Sequence, residues 1–332
     1  MKKEKLLEVK NLTTSFFTTS GEVKAVDNVS YYLNEKEIIA IVGESGCGKS
    51  VSQMSVMQLI QTPPGKILDG QVIFDGKNLL DFDSKSLEMR KIRGAGIAMI
   101  FQEPMTSMNP VFTIGQQLTD VIMTHNGCNK KEAWRIGVES LTAVGIPDAE
   151  ERMHNYPFQM SGGMCQRAMT ATAIACHSKI IIADEPTTAL DVTTQAQVME
   201  LLLSLVDKYK TSIVMVTHNL GLVTRYSDRV YVMYAGKIVE SGTTEDILMH
   251  SRHPYTLGLL ACVPRLDTKK DHDLAPIQGA PPRLNDLPRG CAFAPRCSYV
   301  YDRCLEKYPE FRQVGENEHF AACYLDLEVN GQ

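Results

Sequence analysis

The first third of the chain alternates short apolar runs with polar turns. Three runs have the length and composition of β-strands, at residues 6–9, 23–26 and 38–42. Turn-forming residues separate them at 19–21 and 34–36. The third strand leads into a glycine-rich turn and then into a predicted helix over 50–60, which ends at Pro63-Pro64-Gly65.

Apolar residues in the middle of the chain recur at helical spacing. Ile136, Val138, Leu141 and Val144 belong to a stretch over 133–175 that we predict to be helical. The elements predicted after it are a strand at 180–183, a helix at 195–208, a strand at 212–216 and a hairpin at 229–240. Strands that alternate with helices are typical of an α/β fold with a largely parallel sheet.

The character of the sequence changes after residue 263. Prolines follow in quick succession, and periodic apolar runs become few. We therefore predict a larger domain over 1–263 and a proline- and cysteine-rich domain over 264–332. The sequence contains no visible internal repeat.

Composition and charge exclude some classes of protein. The chain has 332 residues, of which 44% are hydrophobic and 22% charged, as in ordinary globular proteins. Its net charge of −5 provides no basic field for nucleic acid. The longest apolar stretches are far shorter than the ~20 residues of a transmembrane helix, and no signal-peptide pattern follows the first residues. If the protein works at a membrane, we expect it at the cytoplasmic face, acting through partner chains.

The turn after the third strand has the pattern G-x-x-x-x-G-K-S of a phosphate-binding loop, between a predicted strand and a predicted helix. Backbone N–H groups of such a loop surround the phosphates of a nucleoside triphosphate, helped by the positive end of the helix. Lys49 would contact the β- and γ-phosphates, and the Ser50 hydroxyl would bind Mg²⁺. The residues expected to bind ATP here are Gly43, Glu44, Ser45, Gly46, Cys47, Gly48, Lys49 and Ser50.

A second motif ends the predicted strand at 180–183. Two carboxylates follow the apolar run, Asp184 and Glu185. In phosphate-loop proteins, the first carboxylate orients the Mg²⁺ shell. The second is then placed to act as the general base that polarises the attacking water.

Further motifs resemble those of the ABC ATPases. Residues 160–167 read M-S-G-G-M-C-Q-R, which is similar to the signature of that family and lies just upstream of the acidic strand. Gln102 resembles the glutamine of the Q-loop, and Asp191 the aspartate of the D-loop. His218 resembles the switch histidine, and Phe16 the aromatic residue that stacks on adenine.

The resemblance implies a P-loop ABC ATPase fold. Such a fold has a RecA-like core, an antiparallel β subdomain and an inserted helical subdomain, here at about 103–176. Two such domains pair head to tail, so that the signature of one chain contacts the ATP held by the other. The residues that the resemblance adds to the nucleotide site are Phe16, Ser161, Gly162, Gly163, Gln166 and Asp191. It also implies that Gln102, Glu185 and His218 are catalytic, and that Ser50, Gln102 and Asp184 bind Mg²⁺.

The sequence departs from the usual family pattern at Met160, Cys165 and Asn219, none of which carries a group assigned to the chemistry. Cys47 lies within the phosphate loop, near Lys49 and a helix N-terminus. We therefore predict a lowered pKa for its thiol, and expect thiol alkylation to block ATP binding. The alternative is that Cys47 is simply a small residue that fits the loop.

Three stretches resemble the oligopeptide and dipeptide importer branch of the family, which also contains nickel uptake systems. They are F-Q-E-P-M-T-S-M-N-P at 101–110, H-P-Y-T at 253–256 and the cysteine-rich tail. The resemblance implies import of short peptides, with nickel or another small solute as the alternative cargo. A soluble ABC ATPase of DNA repair or translation is disfavoured because the chain has one nucleotide domain and no basic stripe. A phosphate-binding scaffold without turnover is disfavoured by Glu185 and His218.

The implied partners are a second ABC ATPase subunit, either a related chain or this chain itself, and two membrane permease subunits. An extracellular or periplasmic solute-binding protein would act indirectly. We expect no nucleic-acid partner, and a peripheral location at the cytoplasmic face of the membrane.

Four cysteines crowd the tail, at Cys291, Cys297, Cys304 and Cys323. A reducing cytosol disfavours disulfides, so a metal site is the first interpretation. The spacing lacks the CxxC pairs typical of structural zinc, and four thiolates can also hold an iron–sulfur cluster. The branch resemblance implies a 4Fe–4S cluster, with zinc or unliganded thiols as alternatives and no role in hydrolysis.

Overall fold

The computed structural model describes residues 5–186, 192–262, 277–315 and 318–325. Its strands are β1 Lys5–Thr18, β2 Gly21–Asn34, β3 Ile38–Val42, β4 Gly65–Phe74, β5 Lys77–Asn78, β6 Ile97–Ile100, β7 Ile180–Asp184, β8 Ser212–Thr217, β9 Arg229–Tyr234, β10 Lys237–Thr243, β11 Arg312–Gln313 and β12 Phe320–Ala321. Its helices are α1 Lys49–Val56, α2 Leu87–Lys91, α3 Pro104–Ser107, α4 Ile114–Asn126, α5 Lys130–Ala143, α6 Ala149–Arg152, α7 Gly162–Ala175, α8 Val192–Tyr209, α9 Leu220–Tyr226, α10 Thr244–Met249, α11 Pro254–Ala261 and α12 Asp302–Glu306.

The chain divides into two compact units, which we call the helix-rich unit and the strand-rich unit. The helix-rich unit comprises Asn34–Glu37 and the described residues of Asp81–Val216. The strand-rich unit comprises Lys5–Leu33, Ile38–Leu80 and the described residues of Thr217–Gln332. None of the described helices is both long enough and apolar enough to cross a bilayer.

The helix-rich unit contains three parallel strands in the order β8-β7-β6. All five residues of β7 are buried, as expected for a strand with both faces covered. Helices α4, α5 and α7 pack on one another. The stretch that we predicted as helical over 133–175 is divided into α5, α6 and α7. The break between α5 and α6 follows from Gly145 and Asp148, whose φ angles of 73° and 51° interrupt helical geometry.

The strand-rich unit contains a four-stranded sheet in the order β2-β1-β4-β5, in which β4 is antiparallel to both β1 and β5. Its other sheet region has the order β11-β12-β10-β9-β3, with β3 parallel to β9. The predicted hairpin is present as β9 and β10. It turns at Ala235 and Gly236, whose φ angles of 47° and 83° suit a tight β-turn.

The described part of the tail belongs to the strand-rich unit. Strand β12 pairs antiparallel with β10, with Ser241 opposite Phe320. A buried hydrogen bond holds the same segment, because Nε2 of His319 lies 2.8 Å from Oε1 of Glu240. The Glu240 carboxylate also accepts the backbone N–H groups of Arg252 at 2.5 Å and His253 at 3.1 Å. The predicted domain boundary at 263–264 lies at and beyond the edge of the described residues.

Candidate nucleotide site

The predicted phosphate loop connects β3 to α1 in the strand-rich unit. The Lys49 side chain lies within the loop and is only 5% exposed. Its Nζ donates hydrogen bonds to the carbonyl oxygens of Gly43 at 2.8 Å and Glu44 at 2.9 Å. Gly48 caps the N-terminus of α1 in a left-handed conformation. A buried ammonium beside a helix N-terminus is a suitable arrangement for binding phosphate.

Two glycines of the loop are required by its close packing. A Cβ atom at Gly43 would lie 2.2 Å from the carbonyl oxygen of Met233 in β9. At Gly48, where φ is +102°, a Cβ atom would lie 2.1 Å from the carbonyl oxygen of Ala25 in β2. Neither backbone neighbour can move easily, so the loop can follow this path only with glycine at both positions.

The prediction of a lowered pKa for Cys47 is wrong. The thiol is buried, with 6% of the residue exposed, and burial raises its pKa. The Lys49 ammonium, with Nζ 3.9 Å from Sγ, acts in the opposite direction but has the smaller effect. The positive neighbours of Cys47 are visible in the sequence, whereas its burial, which has the larger effect on the pKa, is not.

Glu44 forms hydrogen bonds with two residues of the C-terminal part of the chain, Arg296 and Tyr255. Nη1 and Nη2 of Arg296 donate to the two carboxylate oxygens of Glu44, at 2.6 and 2.9 Å. The backbone N–H of Glu44 donates to the hydroxyl of Tyr255 at 2.8 Å. From the sequence alone, both segments are recognisable only as features of a family branch, and these contacts are not predicted. No periodicity or spacing would have revealed them, because the partners are more than 200 residues apart.

The helix-rich unit contains the acidic motif. Asp184 is the last residue of β7 and is 4% exposed. Glu185 follows with a φ of +46°, and its backbone N–H donates to the carbonyl oxygen of Val216 at 2.9 Å. Nε2 of Gln102 donates to Oε2 of Glu185 at 2.9 Å. The structure therefore brings together the predicted general base and the predicted Q-loop glutamine.

The signature motif forms the start of α7 in the same unit. The Ser161 hydroxyl caps the helix by accepting the backbone N–H of Met164 at 3.3 Å. Ser161 and Gly162 are exposed, and Gly163 is half-buried. Gln166 is 1% exposed and lies in the interior, one turn further along the helix. The described N-terminus of α7 can thus present N–H groups to an anion at its surface.

The remaining predicted site residues are Phe16, His218 and Asp191. Phe16 lies half-buried in β1, opposite Gly65 of β4. His218 follows β8 and is exposed, and the Asn219 side chain caps α9 by accepting the N–H of Gly221 at 3.0 Å. Phe16, the phosphate loop and His218 belong to the strand-rich unit. Asp191, the predicted D-loop residue, lies outside the described residues.

The four tail cysteines line one small cavity, together with His253 and Phe293. Burial raises the pKa of the Cys291 thiol to about 11, and the charges of Cys323 and Cys304 act in the same direction. Burial also raises the pKa values of Cys297 and Cys323. Within the described residues, no group of three or more His, Cys, Asp or Glu side chains is arranged to hold a metal ion. The predicted metal site therefore has a shared cavity but no converged ligand set.

Comparison with known proteins adds independent evidence. The sequence profile of the ABC transporter family matches residues 26–188. The profile named oligopeptide/dipeptide transporter, C-terminal region, matches residues 239–304.

Relatives match over most of their length. The oligopeptide transport ATP-binding protein OppD of Bacillus subtilis (strain 168) is 47% identical over 321 residues, covering 97% of this chain and 89% of that protein. The dipeptide transport ATP-binding protein DppD of the same organism is 48% identical, covering 97% of this chain and 95% of that protein.

A solved structure shares the fold. The dimeric ATP-binding cassette MJ0796 bound to ADP and Pi superposes with a TM-score of 0.65 at 27% sequence identity. The match covers 72% of this chain and 98% of that one. The phosphate loop, the acidic motif, the two profiles and these relatives lead to one conclusion. This chain is an ATPase of the ABC transporter family and belongs to its oligopeptide/dipeptide branch.

Proposed function

We propose that this chain hydrolyses ATP to energise the import of short peptides through partner membrane subunits. The observation that carries the hydrolytic part is the hydrogen bond from Gln102 to Glu185 beside the buried Asp184. The proposal that the cargo is a short peptide is supported by the similarity to the oligopeptide and dipeptide transport proteins of Bacillus subtilis over nearly the whole chain.

In this proposal the phosphate loop binds the triphosphate. Lys49 leaves the carbonyl oxygens of Gly43 and Glu44 to contact the β- and γ-phosphates, and loop N–H groups contact the remaining oxygens. Phe16 stacks on the adenine. Glu185 polarises the attacking water as general base, and Gln102 holds the carboxylate in position. His218 contacts the γ-phosphate.

The donor set fits Mg²⁺, because Ser50, Gln102 and Asp184 offer a hydroxyl, an amide and a carboxylate oxygen, which are the hard ligands that this ion prefers. When bound, the ion neutralises charge on the β- and γ-phosphates. Asp184 is suited to this role since it is buried at the end of a rigid parallel strand.

The proposal includes a second ATPase subunit, either this chain or a related one. Ser161, Gly162 and Gly163 at the start of α7 would contact the nucleotide bound by that subunit, with Gln166 supporting the helix from the interior and Asp191 at the dimer contact. The solved relative MJ0796 is dimeric. ATP binding would then shift the dimer of ATPase subunits towards a closed state, and hydrolysis would shift it back towards an open state.

Two membrane permease subunits would dock near residues 102–110, at the cytoplasmic face. Support comes from three large apolar side chains that are exposed in this region, at Met105, Val111 and Phe112. Exposed apolar side chains that lie this close in sequence are compatible with an interaction surface. A solute-binding protein would act on the other side of the membrane.

The domain organisation is also part of the proposal. It comprises a helical subdomain at about 103–176 and a Pro/Cys-rich domain at 264–332.

The proposal also includes a 4Fe–4S cluster held by Cys291, Cys297, Cys304 and Cys323. Its support is the cavity that all four thiols line and their character as soft sulfur ligands. A single zinc ion needs four ligands within about 2.3 Å of one point, whereas the four irons of a cluster each bind their own thiolate. Iron and acid-labile sulfide in the anaerobically purified chain test this assignment. Zinc alone, or no metal, would contradict it.

Uptake in cells tests the function. Cells that carry the wild-type chain or Glu185→Gln are given a labelled short peptide, with nickel measured in parallel. We expect peptide uptake to collapse in the variant while nickel uptake persists. Loss of nickel uptake alone would show that the chain energises nickel import and not peptide import. Unchanged uptake of both, in cells that lack other importers, would refute it.

A further inference from the structure

The C-terminal segment reaches the phosphate loop through Arg296. Its guanidinium forms a bidentate ion pair with Glu44, the second residue of the loop, with N···O distances of 2.6 and 2.9 Å. The Arg296 side chain is 5% exposed and that of Glu44 is 25% exposed. Two parallel charge-assisted hydrogen bonds fix direction as well as distance, which a single lysine contact cannot do.

Arg296 is itself held in place. Its Nε donates to the carbonyl oxygen of Gln278 at 3.0 Å, and its Nη1 lies 3.3 Å from the hydroxyl of Tyr234. The guanidinium also lies 5.9 Å from the ring centres of Tyr234 and Phe293. These contacts leave the side chain little rotational freedom, so its position is set by the strand-rich unit before any ligand binds.

The backbone of Glu44 is held as well. Its N–H donates to the hydroxyl of Tyr255, at 2.8 Å, and the Tyr255 ring packs on Tyr234 and Phe293 with centroid distances of 4.5 and 5.4 Å. Its carbonyl oxygen accepts from Nζ of Lys49 at 2.9 Å. Glu44 therefore connects the C-terminal segment directly to the ammonium that binds phosphate.

We propose that Arg296 is a positioning residue for the nucleotide reaction, which fixes the start of the phosphate loop through Glu44. The inference rests on the ATPase activity proposed above. With the ion pair intact, the loop is ordered before ATP arrives, and binding does not have to supply the free energy of ordering it. Without it, the loop and Lys49 sample other positions, and affinity for ATP falls. Gln102 and Glu185 are not held by this pair, so turnover of bound ATP changes less.

The test uses the full-length chain with its tail metal content measured in each variant. The changes are Arg296→Gln, Arg296→Lys, Glu44→Gln and the double variant Arg296→Gln with Glu44→Gln. Arg283→Gln is the matched control, since Arg283 is an exposed arginine of the same tail. The measurements are the Kd for ATP, KM and kcat, together with the folded fraction by circular dichroism.

We expect Arg296→Gln and Glu44→Gln each to raise Kd and KM about tenfold, with kcat reduced about twofold or less. Arg296→Lys should recover part of the affinity, and the double variant should resemble the single ones, because both remove the same contact. If Arg296 only stabilised the fold, its replacement would reduce the folded fraction. The apparent kcat would then fall, and KM would stay unchanged. Unchanged KM in folded Arg296→Gln, or additive effects in the double variant, would overturn the inference.

Glu44→Gln leaves the tail sequence intact, so it tests the contact even where changes at Arg296 impair folding. Absence of ATPase activity in the wild-type chain would count against the proposed function. Normal wild-type activity with unaffected variants would count against Arg296 alone.

Discussion

Gln102 donates a hydrogen bond to the carboxylate of Glu185, and the two residues approach from the ends of different strands. Gln102 lies just after β6, and Glu185 follows directly after β7. Because β6 and β7 are parallel neighbours, their carboxyl ends meet at one edge of the sheet. The proposed general base thereby accepts a hydrogen bond from a residue at the end of the neighbouring strand.

Replacement of this base should separate binding from hydrolysis. In Glu185→Gln we expect kcat for ATP to fall by about 10²- to 10⁴-fold, because the amide cannot accept the proton of the attacking water. The Kd for ATP should remain close to that of the wild type. Steady-state hydrolysis and equilibrium nucleotide binding are the measurements. Glu139→Gln, on an exposed face of α5, is the control, and equal kcat values in the two variants would contradict the assignment.

The phosphate loop should not tolerate a side chain at Gly48. The Cβ of Gly48→Ala would meet the carbonyl oxygen of Ala25 at 2.1 Å with φ at +102°, so the loop must shift. We expect the Kd for ATP to rise by about 10- to 100-fold. Gly21→Ala is the control, because Gly21 also has a positive φ, of +114°, but nothing within 4 Å of its Cβ position. That variant should bind ATP normally, and similar binding by both variants would argue against the steric account.

The buried pair of His319 and Glu240 should contribute strongly to stability. Both side chains are at most 1% exposed. His319→Ala removes a buried ring and one hydrogen-bond partner of the Glu240 carboxylate, so we expect the free energy of unfolding to fall by about 3 kcal/mol. Urea unfolding followed by circular dichroism measures it. His250→Ala, at an exposed position, should change it by less than about 0.5 kcal/mol. Equal midpoints for the two variants would refute the prediction.

Cys47 should react slowly with alkylating agents at neutral pH. Burial raises the pKa of its thiol above the ordinary value, so its thiolate fraction at pH 7 is smaller than that of an ordinary cysteine. The reactive form becomes populated only as pH rises through the raised pKa. Mass-spectrometric mapping after iodoacetamide treatment should show Cys262, which is exposed, modified well before Cys47. Preferential labelling of Cys47 would instead support a lowered pKa.

Much of the fold could be predicted from local patterns. The strand at 38–42 coincides with β3, and the hairpin turn lies at Ala235 and Gly236 as predicted. Strands β1 and β2 are each 14 residues long, whereas only 6–9 and 23–26 were predicted. The strands continue through polar positions such as Thr14 and Ser15, which are fully buried. Their burial depends on tertiary contacts, for instance the hydrogen bond of Thr14 to Ser55, and no window of sequence contains that information.

The candidate site likewise contains residues that local motifs reveal and residues that only the tertiary structure reveals. Gln102 and Glu185 could be singled out from local motifs, and the structure shows a hydrogen bond between them that the motifs did not predict. Arg296 and Tyr255 could not, because their importance depends on where the chain returns after more than 200 residues. Cys47 was misjudged because the sequence shows its charged neighbours but does not show its burial.

The pairing of β12 with β10 has a consequence for incomplete chains. Strand β10 is covered along part of its length by Phe320 and Ala321. A chain truncated before this segment would leave backbone N–H and C=O groups of β10 without their partners, on a strand rich in buried residues. Open edges of this kind recruit strands from other molecules and promote aggregation. Completion of synthesis through residue 321 would therefore protect the nascent protein from self-association.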